Sequence, residues 1–187
     1  LYGCSSFSRK AEKKQVFIFT DINIDQGDPD DRQSLVHLLW YANELNIKGI
    51  VPDRWNAQGL EASQMAVEAY ASDYQQYDFM ENGYPEPGKV LDLLASDVDN
   101  ALNRFKNAAQ VASPENPLYV LVWGNMKNFG KALQKNPELA ENIRVITIGT
   151  GLKYGPQDEV AGDDCTVSNW NGPGRDEIFQ DERFNAM

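Results

Sequence analysis

Short apolar runs and longer amphipathic segments alternate along most of the chain. Each run is rich in Val, Ile, Leu or Phe and is bounded by polar or turn-forming residues, a pattern typical of buried β-strands. The predicted strands are residues 14–20, 47–51, 118–122 and 143–148.

Apolar residues recur at helical spacing between the predicted strands. The first helix is predicted over residues 31–45, with Asp30 or Asp31 as its N-cap and Trp40 in the core. A strand, a helix and a second strand in direct succession form a βαβ unit, which requires parallel strands. The predicted fold is therefore α/β, a mostly parallel open sheet with flanking helices. Further helices are predicted at 59–74, 90–94, 98–111 and 126–134, and loops at 78–88 and 149–175.

The segments that follow the predicted strands are rich in Asp, Asn, Gly and Trp. They comprise residues 21–31, 52–56, 123–128 and 149–171. Ligands of open α/β sheets bind beyond the carboxyl ends of the strands. These four segments are therefore the predicted binding site.

The segment after the first strand reads TDINIDQGDPDD and contains five aspartates. Clustered carboxylates raise one another's pKa unless a cation neutralises them, and sites made only of oxygen ligands suit Ca²⁺ or Mg²⁺. An EF-hand loop is excluded, because Gln26 stands where glycine is required and Arg32 where a bidentate glutamate is required. A solvated turn whose last acids cap the following helix remains the alternative.

The overall charge limits the classes of partner. The 187 residues carry a formal net charge of −11, which argues against nucleic acid because phosphate binding requires a basic surface. The apolar content of 42% is typical of a globular chain, and no apolar stretch is long enough to span a membrane. Neutral, hydroxyl-rich ligands and cations are compatible with this composition.

The first residues have the character of a processed bacterial lipoprotein. The sequence LYGCSS resembles a lipobox, with Cys4 as the lipidated residue, and a polar, basic tether follows it. The alternative is an incidental cysteine. We expect residues 1–14 to be tether and 15–187 to be the domain, located in the cell envelope or secreted, with the membrane reached only through a lipid on Cys4. The distant Cys165 is expected to be an inert free thiol.

Several of these stretches resemble the nucleoside hydrolases, and most closely the nucleoside hydrolase-like domain of secreted bacterial "cellulose-binding" proteins. That family has a D-x-D-P-G-x-D-D loop after its first strand. Here Thr20-Asp21 and Asp30-Asp31 match the two ends of that loop. The other matching stretches are 49–56, which ends in Asn56, then 123–128 (WGNMKN), 148–151 and, more weakly, 168–171.

The resemblance implies a Ca²⁺ site and a role for each matching residue. Asp21 or Asp30 would accept the proton of the attacking water. Asp21, Asp31 and the backbone carbonyl of Trp123 would hold the ion. The implied substrate-binding residues are Asn56, Trp123, Asn125, Asn169 and Asn171.

The chain also departs from the enzymes. Its acidic loop is longer, so residues 23–28 have no clear counterparts. The family takes a further aspartate ligand and a leaving-group histidine from its C-terminal part, and neither is recognisable up to Met187, so we expect an incomplete metal site or a piece of a longer protein. The single histidine, His37, falls on the helix face opposite the leucines and is expected to be a solvated or packing side chain, not a catalytic one.

Three functions remain open on these grounds. The first is Ca²⁺-dependent hydrolysis of a nucleoside or another glycoside. The second is glycan binding without catalysis, in which Trp55, Trp123 and Trp170 stack on sugar rings, although loop packing would explain these side chains equally well. The third is a structural domain with a metal-stabilised loop. The sequence names neither the substrate nor the oligomeric state.

Overall fold

A computed structural model describes residues 12–24, 29–124, 126–148, 177–178 and 180–184. In this part of the chain, four strands are interleaved with five α-helices, and short 3-10 turns cover Trp55–Ala57, Pro137–Asn142 and Glu182–Phe184. The elements are β1 (Lys14–Thr20), α1 (Asp30–Leu39), β2 (Leu45–Pro52), α2 (Gly59–Gln76), α3 (Pro87–Leu91), α4 (Val98–Gln110), β3 (Leu118–Val122), α5 (Lys127–Lys135) and β4 (Ile143–Thr147).

The strands form one parallel sheet in the order β2-β1-β3-β4. This arrangement confirms the predicted α/β fold. The pairing of β1 with β2 contains a bulge, because Val16 pairs with Ile47 while Phe17 pairs with Gly49, which leaves Lys48 as the extra residue. A Cβ atom at Gly49 would lie 2.4 Å from Cε2 of Phe17, so only glycine leaves room for that ring.

Alternate side chains of β1 enter different core clusters, one on each face of the sheet. Phe17 and Phe19 pack with α4 and α5, where the ring of Phe105 lies 5.6 and 5.8 Å from theirs. Val16 and Ile18 pack with α1 and α2. Burial of each such large apolar side chain contributes roughly 1.5–3 kcal/mol, so the sheet is fixed from both faces.

Helix α1 is shorter than predicted. It ends at Leu39, and residues 40–44 form a turn in which Tyr41 N donates to the carbonyl of Leu38 over 2.9 Å. Leu45, which continues the helical spacing in the sequence, pairs instead with Lys14 as the first residue of β2. The last residue of the predicted helix, Leu45, is therefore part of the sheet.

The aspartate cap predicted for α1 is wrong, because Pro29 occupies the N-cap position and no side chain caps the helix there. Asp30 and Asp31 lie in the first turn, where negative charge still interacts favourably with the helix dipole. The predicted core position of Trp40 is also wrong, since its side chain lies just after the helix and is 44% exposed.

The helix predicted over residues 90–94 lies earlier in the chain. Pro87, whose fixed φ suits a first helical turn, begins α3, and the chain then runs beside the outer edge of β2. There Ile50 N donates to Leu93 O over 2.9 Å, and Ala95 N donates to Ile50 O over 2.8 Å. Residues 93–95 thus partly cover a sheet edge that would otherwise be open. None of the described helices has the length and apolarity needed to cross a membrane.

Candidate active site

The carboxyl ends of neighbouring strands hold the predicted site segments together. Backbone hydrogen bonds continue past the strand ends: Asp53 N donates to Thr20 O over 2.7 Å, and Trp123 N donates to Phe19 O over 2.9 Å. These bonds fix residues 20–21, 52–54 and 123–124 side by side at one edge. The predicted convergence of three of the four loops is therefore confirmed, and the fourth, 149–171, lies outside the described residues.

Asp31 is the most buried acid of this edge, with 5% of its surface exposed. The hydroxyl of Thr20 donates to its carboxylate. Burial raises the pKa of Asp31 to about 7; the Thr20 bond lowers it, and the charges of Asp21 and Asp30 raise it further. This acid therefore holds its proton up to near-neutral pH unless a cation approaches.

Asp21 occupies a narrow space above Gly124. A Cβ atom at Gly124 would lie 2.3 Å from Cγ of Asp21 and 2.4 Å from its Oδ1, so the carboxylate lies directly against the glycine backbone. On its other side, Nη2 of Arg54 donates to Oδ2 of Asp21 over 2.9 Å, and both side chains are partly exposed. The position of the acid is thus set by β3's end and by the loop after β2.

Asp53 is a third acid of this edge that the sequence analysis did not select. Nδ2 of Asn128, from the first turn of α5, donates to its Oδ1 over 2.9 Å. Burial raises the pKa of Asp53 to about 7, the Asn128 bond lowers it, and the charge of Asp21 raises it. Both Asp53 and Asn128 lie in predicted site segments, so the strand-end pattern could have identified them.

The loop after β2 makes a sharp corner before α2. Gln58 has a φ of 57°, which is unusual for a residue with a side chain, and Gly59 N donates to Arg54 O over 3.0 Å. A Cβ atom at Gly59 would lie 2.8 Å from that same oxygen, so the close approach requires glycine. The corner holds Arg54 beside Asp21 and leaves Asn56 exposed at the edge.

The other predicted site residues are placed less centrally. Asp30 is exposed, and its Oδ1 accepts a hydrogen bond from the backbone N–H of Asp31 over 2.8 Å. His37 is exposed near the end of α1, as expected for a solvated side chain. The remaining predicted residues, Asn125, Asn169 and Asn171, lie outside the described residues, as do Cys4, Cys165 and Trp170.

The two tryptophans of the described edge do not face each other. Trp55 packs on the core cluster of α4 and α5, whereas Trp123 packs on the cluster of α1 and α2. Nε1 of Trp55 is buried and has no hydrogen-bond partner. A cavity of about 540 Å³ borders Trp55, Leu60 and residues 96–99. Packing therefore accounts for both rings, and Trp55 also borders this cavity.

The donor atoms of this edge suit a hard divalent cation, because Thr20, Asp21, Asp31 and Asp53 offer oxygen only. Burial raises the pKa of both Asp31 and Asp53, and the charge of Asp21 raises each further. Within the described ranges, however, no group of three or more carboxylate, histidine or thiol side chains is arranged to hold a metal ion. The residues fit Ca²⁺ in donor type, and Oδ2 of Asp21 is bonded to Arg54.

Comparison with known proteins places the chain in a family. Residues 15–156 match the family described as cellulose-binding Sde182, nucleoside hydrolase-like domain. An inosine-uridine preferring nucleoside hydrolase from Bacillus anthracis is similar in structure, with 17% identity over 84% of this chain and a TM-score of 0.49, and this chain covers 57% of that enzyme. No curated protein matches significantly. The family match extends over most of the chain and confirms the predicted family: the protein belongs to the cellulose-binding Sde182, nucleoside hydrolase-like domain family.

Proposed function

We propose that this protein hydrolyses a glycosyl bond of the N-ribosyl type at the carboxyl edge of its sheet, with Ca²⁺ as cofactor. The observation that supports this proposal best is the gathering of Asp21 and Asp31, from the segment after β1, with Asp53, from the segment after β2, at one edge. Membership of a nucleoside hydrolase-like family supports the same reaction class.

Asp21, Asp31 and the backbone carbonyl of Trp123 would hold the ion. Bound there, Ca²⁺ would lower the pKa of a neighbouring water and orient the hydroxyls of the sugar. Thr20 keeps the Asp31 carboxylate in place through its hydroxyl, and Gly124 lets Asp21 approach the strand end. Asn56, exposed at the same edge, would orient the sugar. Asn125, Asn169 and Asn171 are proposed to complete the substrate contacts.

In this reaction a water oxygen bonds to the anomeric carbon while the bond from that carbon to the leaving nitrogen breaks. Asp21 accepts the water's proton, and Asp30, in the first turn of α1, is the second candidate for that role. The leaving base departs with the electron pair of the broken bond and needs a proton. Asp53 meets this need, because burial keeps its carboxyl protonated up to near-neutral pH and Asn128 holds it in place.

The alternative is a glycan-binding protein that has kept the fold without catalysis. The family description contains the term "cellulose-binding", and Trp55 borders a cavity that also exposes the acids of residues 97 and 99. In this case the acids at the carboxyl edge would bind sugar hydroxyls or a structural ion, and no bond would break.

Two measurements separate these functions. Calorimetry with Ca²⁺ is followed by assays of base release from purine and pyrimidine nucleosides, using wild type, Asp31→Asn and Asp53→Asn. We expect Asp31→Asn to lose Ca²⁺ binding and turnover, and Asp53→Asn to lose turnover while it still binds Ca²⁺. Asp92→Asn, an exposed acid at the end of α3, serves as the matched control and should behave like wild type.

The outcomes distinguish the proposals clearly. A wild-type protein that binds no Ca²⁺ excludes the calcium-dependent hydrolase. Ca²⁺ binding without turnover of any nucleoside or glycoside, together with oligosaccharide binding that Trp55→Ala abolishes, establishes the glycan-binding alternative.

The proposed location is the bacterial cell envelope or the exterior of the cell. Residues 1–14 would serve as the tether of a domain that spans 15–187, with the lipid on Cys4. Metabolic labelling with a fatty acid analogue should mark the wild-type protein expressed with its native leader, and Cys4→Ser should remove the label.

A further inference from the structure

The amino edge of the sheet carries a cluster of aromatic rings that plays no part in the proposed reaction. Its members, here called the aromatic shelf, are Trp40, Tyr77, Phe79 and Tyr84. The Phe79 and Tyr84 rings are stacked with centroids 4.1 Å apart, and the Trp40 ring lies 5.9 Å from that of Tyr77 and 5.8 Å from that of Phe79. Phe79 is buried, whereas Trp40 and Tyr77 remain 44% and 48% exposed.

Hydrogen bonds hold the shelf rigid. Nε1 of Trp40 donates to Oδ2 of Asp73 over 2.9 Å, and the hydroxyl of Tyr84 donates to the carbonyl of Trp40 over 2.9 Å. Beneath them, the hydroxyl of Tyr70 donates to the carbonyl of Pro85 over 2.6 Å. The exposed Trp40 ring is thus kept in one orientation, so stacking of a ligand on it costs little conformational entropy of the protein.

A groove of about 550 Å³ lies at the same edge of the sheet. Ala42, Gly83 and Pro85 line it, and these residues belong to the same two loops that carry Trp40 and Tyr84. The polar side chains along the groove carry both signs of charge and include donors and acceptors of hydrogen bonds. They are Glu12, Lys13, Asn46 and Lys89.

We propose that the aromatic shelf and this groove bind a neutral, linear oligosaccharide. Pyranose rings have apolar faces that stack on aromatic side chains, and hydroxyls around their rims that bond to polar groups of either sign. The mixed charges of the groove and the net charge of −11 favour an uncharged ligand over an anion. A cationic group is not accommodated between the rings, because centroids 5.8–5.9 Å apart are in direct edge contact.

The ring geometry also selects the form of the glycan. The planes of Trp40 and Tyr77 are inclined by 63°, so a flat crystalline surface cannot lie on both rings at once. A single twisting chain can place successive sugars on each. The site lies at the opposite edge of the sheet from Asp21, Asp31 and Asp53, and it is independent of the proposed hydrolysis.

Two assays test the proposal. Calorimetry and tryptophan fluorescence measure the binding of cellohexaose and of maltohexaose to the full chain. We expect saturable binding of at least one hexasaccharide by wild type, and a loss of affinity of about tenfold or more in Trp40→Ala and in Tyr77→Ala. Tyr77→Phe keeps the ring and should bind like wild type. Met65→Ala, which removes an apolar side chain of similar exposure (49%) on α2, should also leave affinity unchanged.

Thermal melts of each variant confirm that it is folded, and Tyr77→Ala is the safer variant because the described hydrogen bonds of the shelf do not involve its side chain. Failure of wild type to bind either hexasaccharide, or unchanged affinity in both alanine variants, overturns the proposal. Asp31→Asn separates the two sites: it should lose nucleoside turnover and keep hexasaccharide affinity. A higher affinity for microcrystalline cellulose than for the soluble hexasaccharides would show that the ligand is a crystalline surface and not a single glycan chain.

Discussion

Replacing Gly124 by alanine tests the position of Asp21 without removing any chemical group from the site. The added Cβ would lie 2.3 Å from Cγ and 2.8 Å from Oδ2 of Asp21, well inside contact distance. The Asp21 carboxylate is the end of a short side chain, so it can rotate away, and the ion pair with Arg54 is then broken. The variant therefore displaces one proposed ligand and leaves the rest of the site in place.

The expected cost in stability is small. The Arg54 and Asp21 side chains are 43% and 27% exposed. An ion pair of that exposure contributes about 0.2–1 kcal/mol. Gly124 does not have a left-handed φ, so alanine also restricts the unfolded chain and recovers about 0.4–1 kcal/mol. The free energy of unfolding should thus change by no more than about 1 kcal/mol.

Urea denaturation and Ca²⁺ calorimetry on the same protein measure both effects. We expect Gly124→Ala to weaken Ca²⁺ binding by about tenfold or more, a loss of about 1.4 kcal/mol. Gly88→Ala is the matched control: a Cβ there meets nothing within 4 Å, and as a residue of α3 it should gain stability and keep Ca²⁺ affinity. If Gly124→Ala binds Ca²⁺ with wild-type affinity, Asp21 is not a ligand. Destabilisation by about 3 kcal/mol would show that the Asp21 side chain cannot rotate away from the added methyl group.

Two further predictions concern stability. Because the pKa of Asp31 is raised from 3.8 to about 7, the folded protein keeps a proton that the unfolded chain releases, and the free energy of unfolding should fall as pH rises through this window. Asp31→Asn should reduce this dependence on pH, and at pH 8 without metal it should be more stable than wild type by about 1 kcal/mol or more. Urea denaturation with a chelator at pH 5 and pH 8 measures both effects. A wild-type stability that rises from pH 5 to pH 8 contradicts the reasoning. Phe105→Ala should lower the free energy of unfolding by about 3–5 kcal/mol, as measured by thermal and urea denaturation. The Phe105 ring is fully buried and contacts those of Phe17, Phe19 and Phe129. Val111 is 74% exposed, so Val111→Ala should change stability by less than about 0.5 kcal/mol. A loss below about 1 kcal/mol for Phe105→Ala would show that the cluster repacks.

The sequence predicts the sheet better than the ends of the helices. Strands β1 and β3 agree with the predicted ranges to the residue, because each is a compact apolar run between polar boundaries. The end of α1 could not be predicted in this way. Ala42 and Leu45 continue the helical spacing, but Leu45 pairs with Lys14, a residue far from it in sequence. The pairing of Leu45 with Lys14 decides whether this segment extends the helix or begins a strand. A pattern within a few neighbouring residues does not contain that pairing.

The candidate site shows the same division. The parallel order of the strands follows from the βαβ pattern, and it predicts that residues 20–21, 52–54 and 123–124 meet at one edge. The individual partners do not follow. Asp53 is paired with Asn128, which lies 75 positions further along the chain, and Arg54 with Asp21, and both pairs depend on how the loops turn after the strands. The sequence therefore predicts which loops meet at this edge, and it does not predict which side chains pair between them.

The placement of the aromatic shelf has a consequence for avidity. The seven residues of β1, at about 3.3 Å each, separate the two edges of the sheet by roughly 20 Å. A hexasaccharide on the shelf and a small molecule at Asp31 would lie at opposite edges of the sheet, so we expect the two ligands to bind without competition. A longer polymer held at one edge would raise the effective concentration of its own distant segments at the other. The sheet would then act as a spacer that keeps capture and chemistry apart within one small domain.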